Sequence, residues 1–151
     1  MKKSISFWSF NGKTAAQAMQ LAKDAGFDGI ELTLDAAGDL TMDTTDEQVL
    51  ALKQTAERIG IALPSVASSL YWAYSFTSDD AAEREQAHNV AVRQLHIAKL
   101  LGADTILVVP GSVSVEFVPE RPVVPYDVAY DRALAEMKRL APIAEAEGVS
   151  I

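Results

Sequence analysis

The residues of this 151-residue chain with the chemistry to hold or transform a ligand fall in four short segments. Trp8, Ser9 and Phe10 form the first. Glu31, an acid inside the apolar run Gly29-Ile30-Glu31-Leu32, and Asp35 form the second. The third is the aromatic run Tyr71-Trp72-Ala73-Tyr74-Ser75-Phe76, preceded by Ser68 and Ser69. Pro110, Gly111, Ser112 and Glu116 form the fourth. A carboxylate within an apolar strand requires a reason, because burying an unpartnered charge is costly. Glu31 either hydrogen-bonds a ligand hydroxyl or an outlying group of a pocket, or sits at a strand end paired with lysine or solvent. Trp72 either covers the C–H face of a sugar or closes the mouth of the fold by packing.

Several chemistries are excluded by residue type. There is no cysteine, hence no thiol nucleophile, thiolate metal site or disulfide. No Ser-His-Asp arrangement is evident. The two histidines, His88 and His96, lie eight residues apart, with no carboxylate at a metal-ligand spacing, and read as surface or helix-packing side chains. Gly12-Lys13-Thr14 has the end of a phosphate-binding loop but not its first glycine, so the plain reading is a strand-to-helix turn with a threonine cap. The chain thus offers pocket walls without a catalytic set or metal ligands. The candidate substrate-binding residues are Trp8, Glu31, Trp72, Pro110 and Gly111.

The elements that must position these residues repeat along the chain. Ala-x-x-x-Gly followed by an apolar run occurs at Ala22 to Gly26, Ala56 to Gly60, Ala98 to Gly102 and Ala144 to Gly148. Alanine supports the last helical turns, and glycine takes the left-handed position that ends them. The glycines are 34, 42 and 46 residues apart, which fits successive strand–helix units. Strands are expected at Ser4 to Phe10, Gly29 to Leu32, Ile61 to Val66 and Thr105 to Val109, with a fifth beginning at Val149. Helix starts are expected at two capping boxes, Thr14 with Gln17 and Thr44 with Glu47, at Ser78-Asp79-Asp80, and at Pro125. The expected buried stripes are Ala18, Leu21, Ala22, Ala25; Val49, Leu52, Ala56, Ile59; Ala87, Ala91, Leu95, Ala98; and Leu134, Met137, Ala141, Ala144. Pro142 should kink or divide the last helix near Leu140. The segment from Pro110 to Pro125 is long for such a connection. It reads as a lid or a solvated insertion.

Near-continuous apolar strands alternating with helices predict an α/β fold with a parallel sheet. Right-handed crossovers leave half of a (βα)8 TIM barrel, with four βα units plus the start of strand 5, or an open doubly wound sheet. The barrel half is favoured, because the chain stops inside a strand and no glycine-rich phosphate loop follows the first strand. Residues 1–151 are expected to form one domain. In either architecture a site forms at the C-terminal strand ends, where the four segments fall.

Charge bounds the partners. Lys+Arg 13 against Asp+Glu 21 gives a net charge of −8, which repels nucleic-acid backbones and anionic membranes. No apolar run approaches the length of a membrane span. The absence of cysteine suits a cytoplasmic protein.

Ser6-Phe7-Trp8-Ser9-Phe10, Ala25 to Leu32, Leu101 to Gly111 and Ala144 to Ile151 resemble the sugar-phosphate isomerase/epimerase family of xylose-isomerase-like barrels, which includes the ketose and pentulose-phosphate 3-epimerases. Tyr71 to Ser75 and Val124 to Asp127 resemble its loops. The resemblance implies proton transfer beside a carbonyl through an enediolate, assisted by a divalent metal such as Mn, Co or Mg. It implies metal ligands Glu, Asp, His and Glu near the ends of strands 5 to 8, and none of these matches a position of this chain. What carries over is the substrate-side wall: Trp8, Glu31, Trp72 and the Pro110-Gly111 turn. The chain alone is expected to be inactive and to bind no metal. A four-unit half exposes two sheet edges and an inner strand face expected to be apolar. A second copy, or a complementary half-barrel supplied by another chain, could cover them.

Overall fold

The computed structural model describes residues 1–151. Its order is β1 (Ser4–Ser6), α1 (Ala15–Asp24), β2 (Gly29–Leu34), α2 (Asp46–Ile59), β3 (Ser65–Ser68), α3 (Ala81–Leu101), β4 (Thr105–Ile106) and α4 (Tyr126–Glu147). Short 3-10 turns at Phe7–Ser9 and Leu70–Trp72 follow β1 and β3. The strands are parallel in the order β1-β2-β3-β4. Ser6 pairs with Glu31, Leu32 with Val66, and Val66 with Ile106. A parallel bridge from Thr105 to Ser150 marks the start of a fifth strand beside β4. The sequential order is that of a barrel in the making, and the doubly wound alternative, which reverses strand order, is not adopted.

The core lies between strands and helices. Ile30, Leu32 and Leu34 of β2, Val66 of β3 and Ile106 of β4 pack with Met19 and Ala22 of α1, Val49 and Ala56 of α2, and Leu95 and Ala98 of α3. Alanines on the helix faces let helices approach the sheet closely, and α2, α3 and α4 each end on a left-handed glycine.

Several boundaries differ from the sequence expectations. The second capping box is one residue later, Thr45 with Gln48, because Thr44 turns back to accept from the Thr41 N–H at 2.7 Å. Asp80, rather than Ser78, caps α3, and Ser78 instead donates to Glu83. β1 stops at Ser6, β3 is displaced towards Ser68, and β4 keeps only two residues. The stripe of α1 is Ala15, Ala18, Met19 and Ala22, leaving Leu21 and Ala25 exposed. On α4, Ala129, Leu140 and Ala144 are buried while Leu134 and Ala141 are exposed. Pro142 does not divide α4. The carbonyl its ring leaves unpaired is that of Lys138, an exposed position where water can serve it.

The largest correction concerns the inner face of the sheet. Side chains alternate along a strand. With Ile5, Ile30, Leu32, Leu34, Val66 and Ile106 turned to the helices, the opposite face carries Ser4, Ser6, Glu31, Thr33, Asp35, Ser65, Ala67, Ser69, Thr105 and Leu107. This face is polar, not apolar. Barrel interiors are ordinarily filled with branched apolar side chains.

Candidate functional site

Two carboxylates stand on the inner face, each held by hydroxyls. Glu31 accepts a hydrogen bond from Ser65 Oγ at 2.7 Å. Four residues on, where β2 ends, Asp35 accepts from Thr33 Oγ1 at 2.7 Å and from Ser69 Oγ. The pairings follow from register. Leu32 opposite Val66 and Leu34 opposite Ser68 put Glu31 level with Ser65 and Asp35 level with Ser69. Neither carboxylate takes part in an ion pair. Glu31 is therefore not a lysine-paired strand-end acid. It is an inward acceptor, aimed by a hydroxyl that leaves its other lone pairs open.

The aromatic residues divide into structure and rim. Tyr71 is buried, and its hydroxyl donates to Gln94 Oε1 at 2.6 Å. Burial pushes its phenol well above the ordinary range. Gln94, fully buried on α3, donates in turn to the carbonyls of Val66 at 2.7 Å and Leu107 at 3.1 Å. It ties β3 to the chain just beyond β4. Trp72 faces out, 38% exposed, and its ring meets the edge of Phe117 at 5.1 Å and 74°. Trp8 is 45% exposed on the turn after β1. Trp72 takes Phe117, not Trp8, as its ring partner.

The connection from β4 to α4 is fastened to the loop after β3. Gly111 lies at φ +134°, and a Cβ there would come within 2.1 Å of Thr77 Cγ2. Thr77 Oγ1 donates to the Ser112 carbonyl at 2.8 Å and receives the Ser112 N–H at 3.1 Å. Arg121 donates to the carbonyls of Trp72 and Ala73 and lies 3.3 Å from Glu83. Pro110, beside Gly111, is exposed. The long connection is thus tethered to the β3 loop at Gly111-Ser112 and at Arg121 and carries Phe117, while most of its residues are exposed.

The histidines take no part. His88 is buried between α3 and α4, with Nδ1 2.5 Å from Glu136 Oε1. His96 bridges Asp46 of α2, at 3.0 Å, and Glu147 of α4, at 3.7 Å. No three His, Asp or Glu side chains converge as metal ligands would.

The sequence pattern places Glu31, Asp35, Ser69 and Trp72 in the ligand-bearing segments, with Glu31 and Trp72 as the candidate binding residues among them, and does not single out Thr33, Ser65, Phe117 or Arg121. The missed signal is a period of two in polar and small residues: Glu31, Thr33, Asp35 in one strand and Ser65, Ala67, Ser69 in the next.

Four sequential parallel βα units with polar groups gathered at the strand ends define half of a barrel of the kind that binds small molecules. Residues 19–151 match the model of the Xylose isomerase-like TIM barrel family, and the chain belongs to that family. Among relatives, L-ribulose-5-phosphate 3-epimerase UlaE of Escherichia coli is 28% identical over 130 residues, 85% of this chain and 40% of that protein. The Escherichia fergusonii enzyme of that name matches equally. A D-psicose 3-epimerase structure obtained in the presence of D-fructose superposes with a TM-score of 0.78 at 20% identity, covering 99% of this chain and 50% of that one. An L-ribulose 3-epimerase superposes with a TM-score of 0.75 at 20% identity, covering 99% and 48%. The chain therefore spans half or less of the length of these relatives. No helix is long and apolar enough to cross a membrane.

Proposed function

We propose that this chain is the substrate-side half of a sugar or sugar-phosphate 3-epimerase. The observation that carries the reading is the polar inner face, where Asp35 stands as a hydroxyl-anchored acceptor at the C-terminal, ligand-binding end of the strands and Glu31, likewise anchored, lies four residues deeper along β2. Hydroxyl-lined carboxylates suit a polyol, which donates hydrogen bonds to them. Trp8, and Trp72 with Phe117 against it, offer aromatic faces for the sugar's C–H groups. The Pro110-Gly111 turn, fixed by Thr77, shapes the rim after β4.

Inverting a ketose at C3 requires a proton to leave and return beside the C2 carbonyl. This chain binds and orients the sugar for that step. The groups that move the proton, and the ligands for the divalent metal typical of these epimerases, belong to a complementary half. A second copy of this chain is a poorer complement, since it would bring another Glu31 and Asp35 to face the first pair without a counter-charge.

The test is a substrate panel on a completed barrel, made by joining residues 1–151 to the second half of the Escherichia coli UlaE protein and loading it with Mn2+. Epimerisation of L-ribulose 5-phosphate or of a free ketose at C3 is expected. Aldose–ketose interconversion without C3 inversion would contradict the epimerase reading.

A further inference from the structure

Asp35 differs from the other inward groups in standing at the rim, where β2 gives way to its loop. It also lines a cleft of about 150 Å3 between the β1–α1 and β2–α2 connections, together with Phe7, Lys13, Thr33, Asp39 and Leu40. Three features define what this corner can take. The Asp35 carboxylate is fixed by two hydroxyl donors and has no cation partner, so its remaining lone pairs are acceptors held in place. The Lys13 ammonium makes no ion pair and supplies a donor on the same wall. The N-terminus of α1, where a phosphate would ordinarily dock, is already occupied, because Asp39 Oδ2 accepts the Ala15 N–H at 2.6 Å. With Asp35 and Asp39 both present, a phosphate entering the cleft would meet two carboxylates against one lysine.

We propose that this corner is a subsite for the uncharged, hydroxyl-bearing part of the substrate, with Asp35 its specificity-determining acceptor, and that a substrate phosphate is directed elsewhere in the barrel. Lys13 donates to a sugar oxygen, and Thr33 and Ser69 are positioning residues that aim the carboxylate. The apolar walls from Phe7 and Leu40 suit the carbon backbone of the polyol. This inference rests on the sugar reading but is tested by binding rather than turnover, so an inactive completed barrel and an empty Asp35 subsite are separate results.

The experiment is an amide-resolved NMR titration of the 151-residue chain with L-ribulose, and separately with inorganic phosphate. L-Ribulose is expected to shift the amides of residues 33–35 and Ser69 saturably, and phosphate is expected to leave Lys13, Ala15 and Ala16 unmoved. Asp35→Asn should weaken L-ribulose about tenfold, the size expected for losing a charge-assisted hydrogen bond. Should Asp35→Asn lose its dispersed spectrum, Ser69→Ala serves in its place. It keeps the charge, drops one tether, and should weaken binding by a smaller factor. Saturable phosphate shifts at the start of α1, L-ribulose shifts that ignore both substitutions, or no saturable L-ribulose shift at all would each overturn the proposal.

Discussion

Tyr71 and Gln94 form a buried pair, hydroxyl to amide oxygen at 2.6 Å, through which α3 holds the strand ends beneath the candidate site. Gln94 spends its amide hydrogens on the Val66 and Leu107 carbonyls. Replacing Gln94 by Leu leaves the Tyr71 hydroxyl and the Leu107 carbonyl without these partners. A loss of about 2–4 kcal/mol in denaturant unfolding is expected, against about 1 kcal/mol for Tyr71→Phe. Equal, small effects from both would show that water replaces the amide.

The Gly111–Thr77 contact gives a second expectation. Gly111→Ala places a methyl group against Thr77 at a backbone angle that side chains rarely adopt. A cost of about 2–4 kcal/mol is expected. Thr77→Ser removes the colliding methyl and keeps the hydroxyl bonds to Ser112, so the double variant should recover part of the loss in thermal melts. The backbone strain should remain.

Arg121 is expected to control Trp72. In a Trp8→Phe background Trp72 is the remaining tryptophan. Arg121→Ala removes the bonds to the Trp72 and Ala73 carbonyls and the contact with Glu83. Emission should move to the red and acrylamide quenching should rise, with stability changed by about 1 kcal/mol or less. An unchanged spectrum would mean that Phe117 alone holds the ring.

Acid sensitivity follows from the helix seams. Hydrogen bonds from His96 and Arg93 hold Asp46 below its ordinary value, one from Arg139 does the same for Glu85, and the Lys99 ammonium, 2.9 Å away, does so for Glu147. A carboxylate whose folded-state value lies below its unfolded one contributes stability above the unfolded value and loses it as pH falls through the folded one. The melting temperature should therefore hold near neutrality and fall below about pH 4.5. Added salt should shrink the part of the fall due to Asp46 and Glu85, whose side chains are about half exposed. Arg139→Ala should reduce the acid-side slope, and a slope unchanged in that variant would remove Glu85 from the account.

The repeat of alanine-to-glycine helix ends made the parallel αβ order legible, because helix termination depends on local backbone chemistry. Glu31 was legible as an anomaly, being an acid in an apolar run. Asp35 was visible at the end of the second strand, but what it does depends on Ser69, thirty-four residues away, coming level with it through strand register. Phe117 lay in a segment whose order comes from Arg121 and Thr77, contacts that no local pattern announces. The inner face was misjudged for a related reason. Apolar residues facing the helices alternate with small polar ones, and Ser, Thr and Ala blend into a strand that reads as continuous. At Pro142 the helix runs on rather than dividing, at an exposed position that tolerates the missing hydrogen bond.

The central claim, that this chain supplies the substrate wall and another half the proton transfer, is tested most directly by solvent-deuterium exchange at C3 of L-ribulose 5-phosphate and L-ribulose with Mn2+ present. The 151-residue chain alone should exchange nothing, and the barrel completed with the second half of UlaE should exchange and epimerise, less efficiently with Glu31→Gln. Exchange by the homogeneous 151-residue chain, or none by a folded, metal-loaded completed barrel, would contradict it.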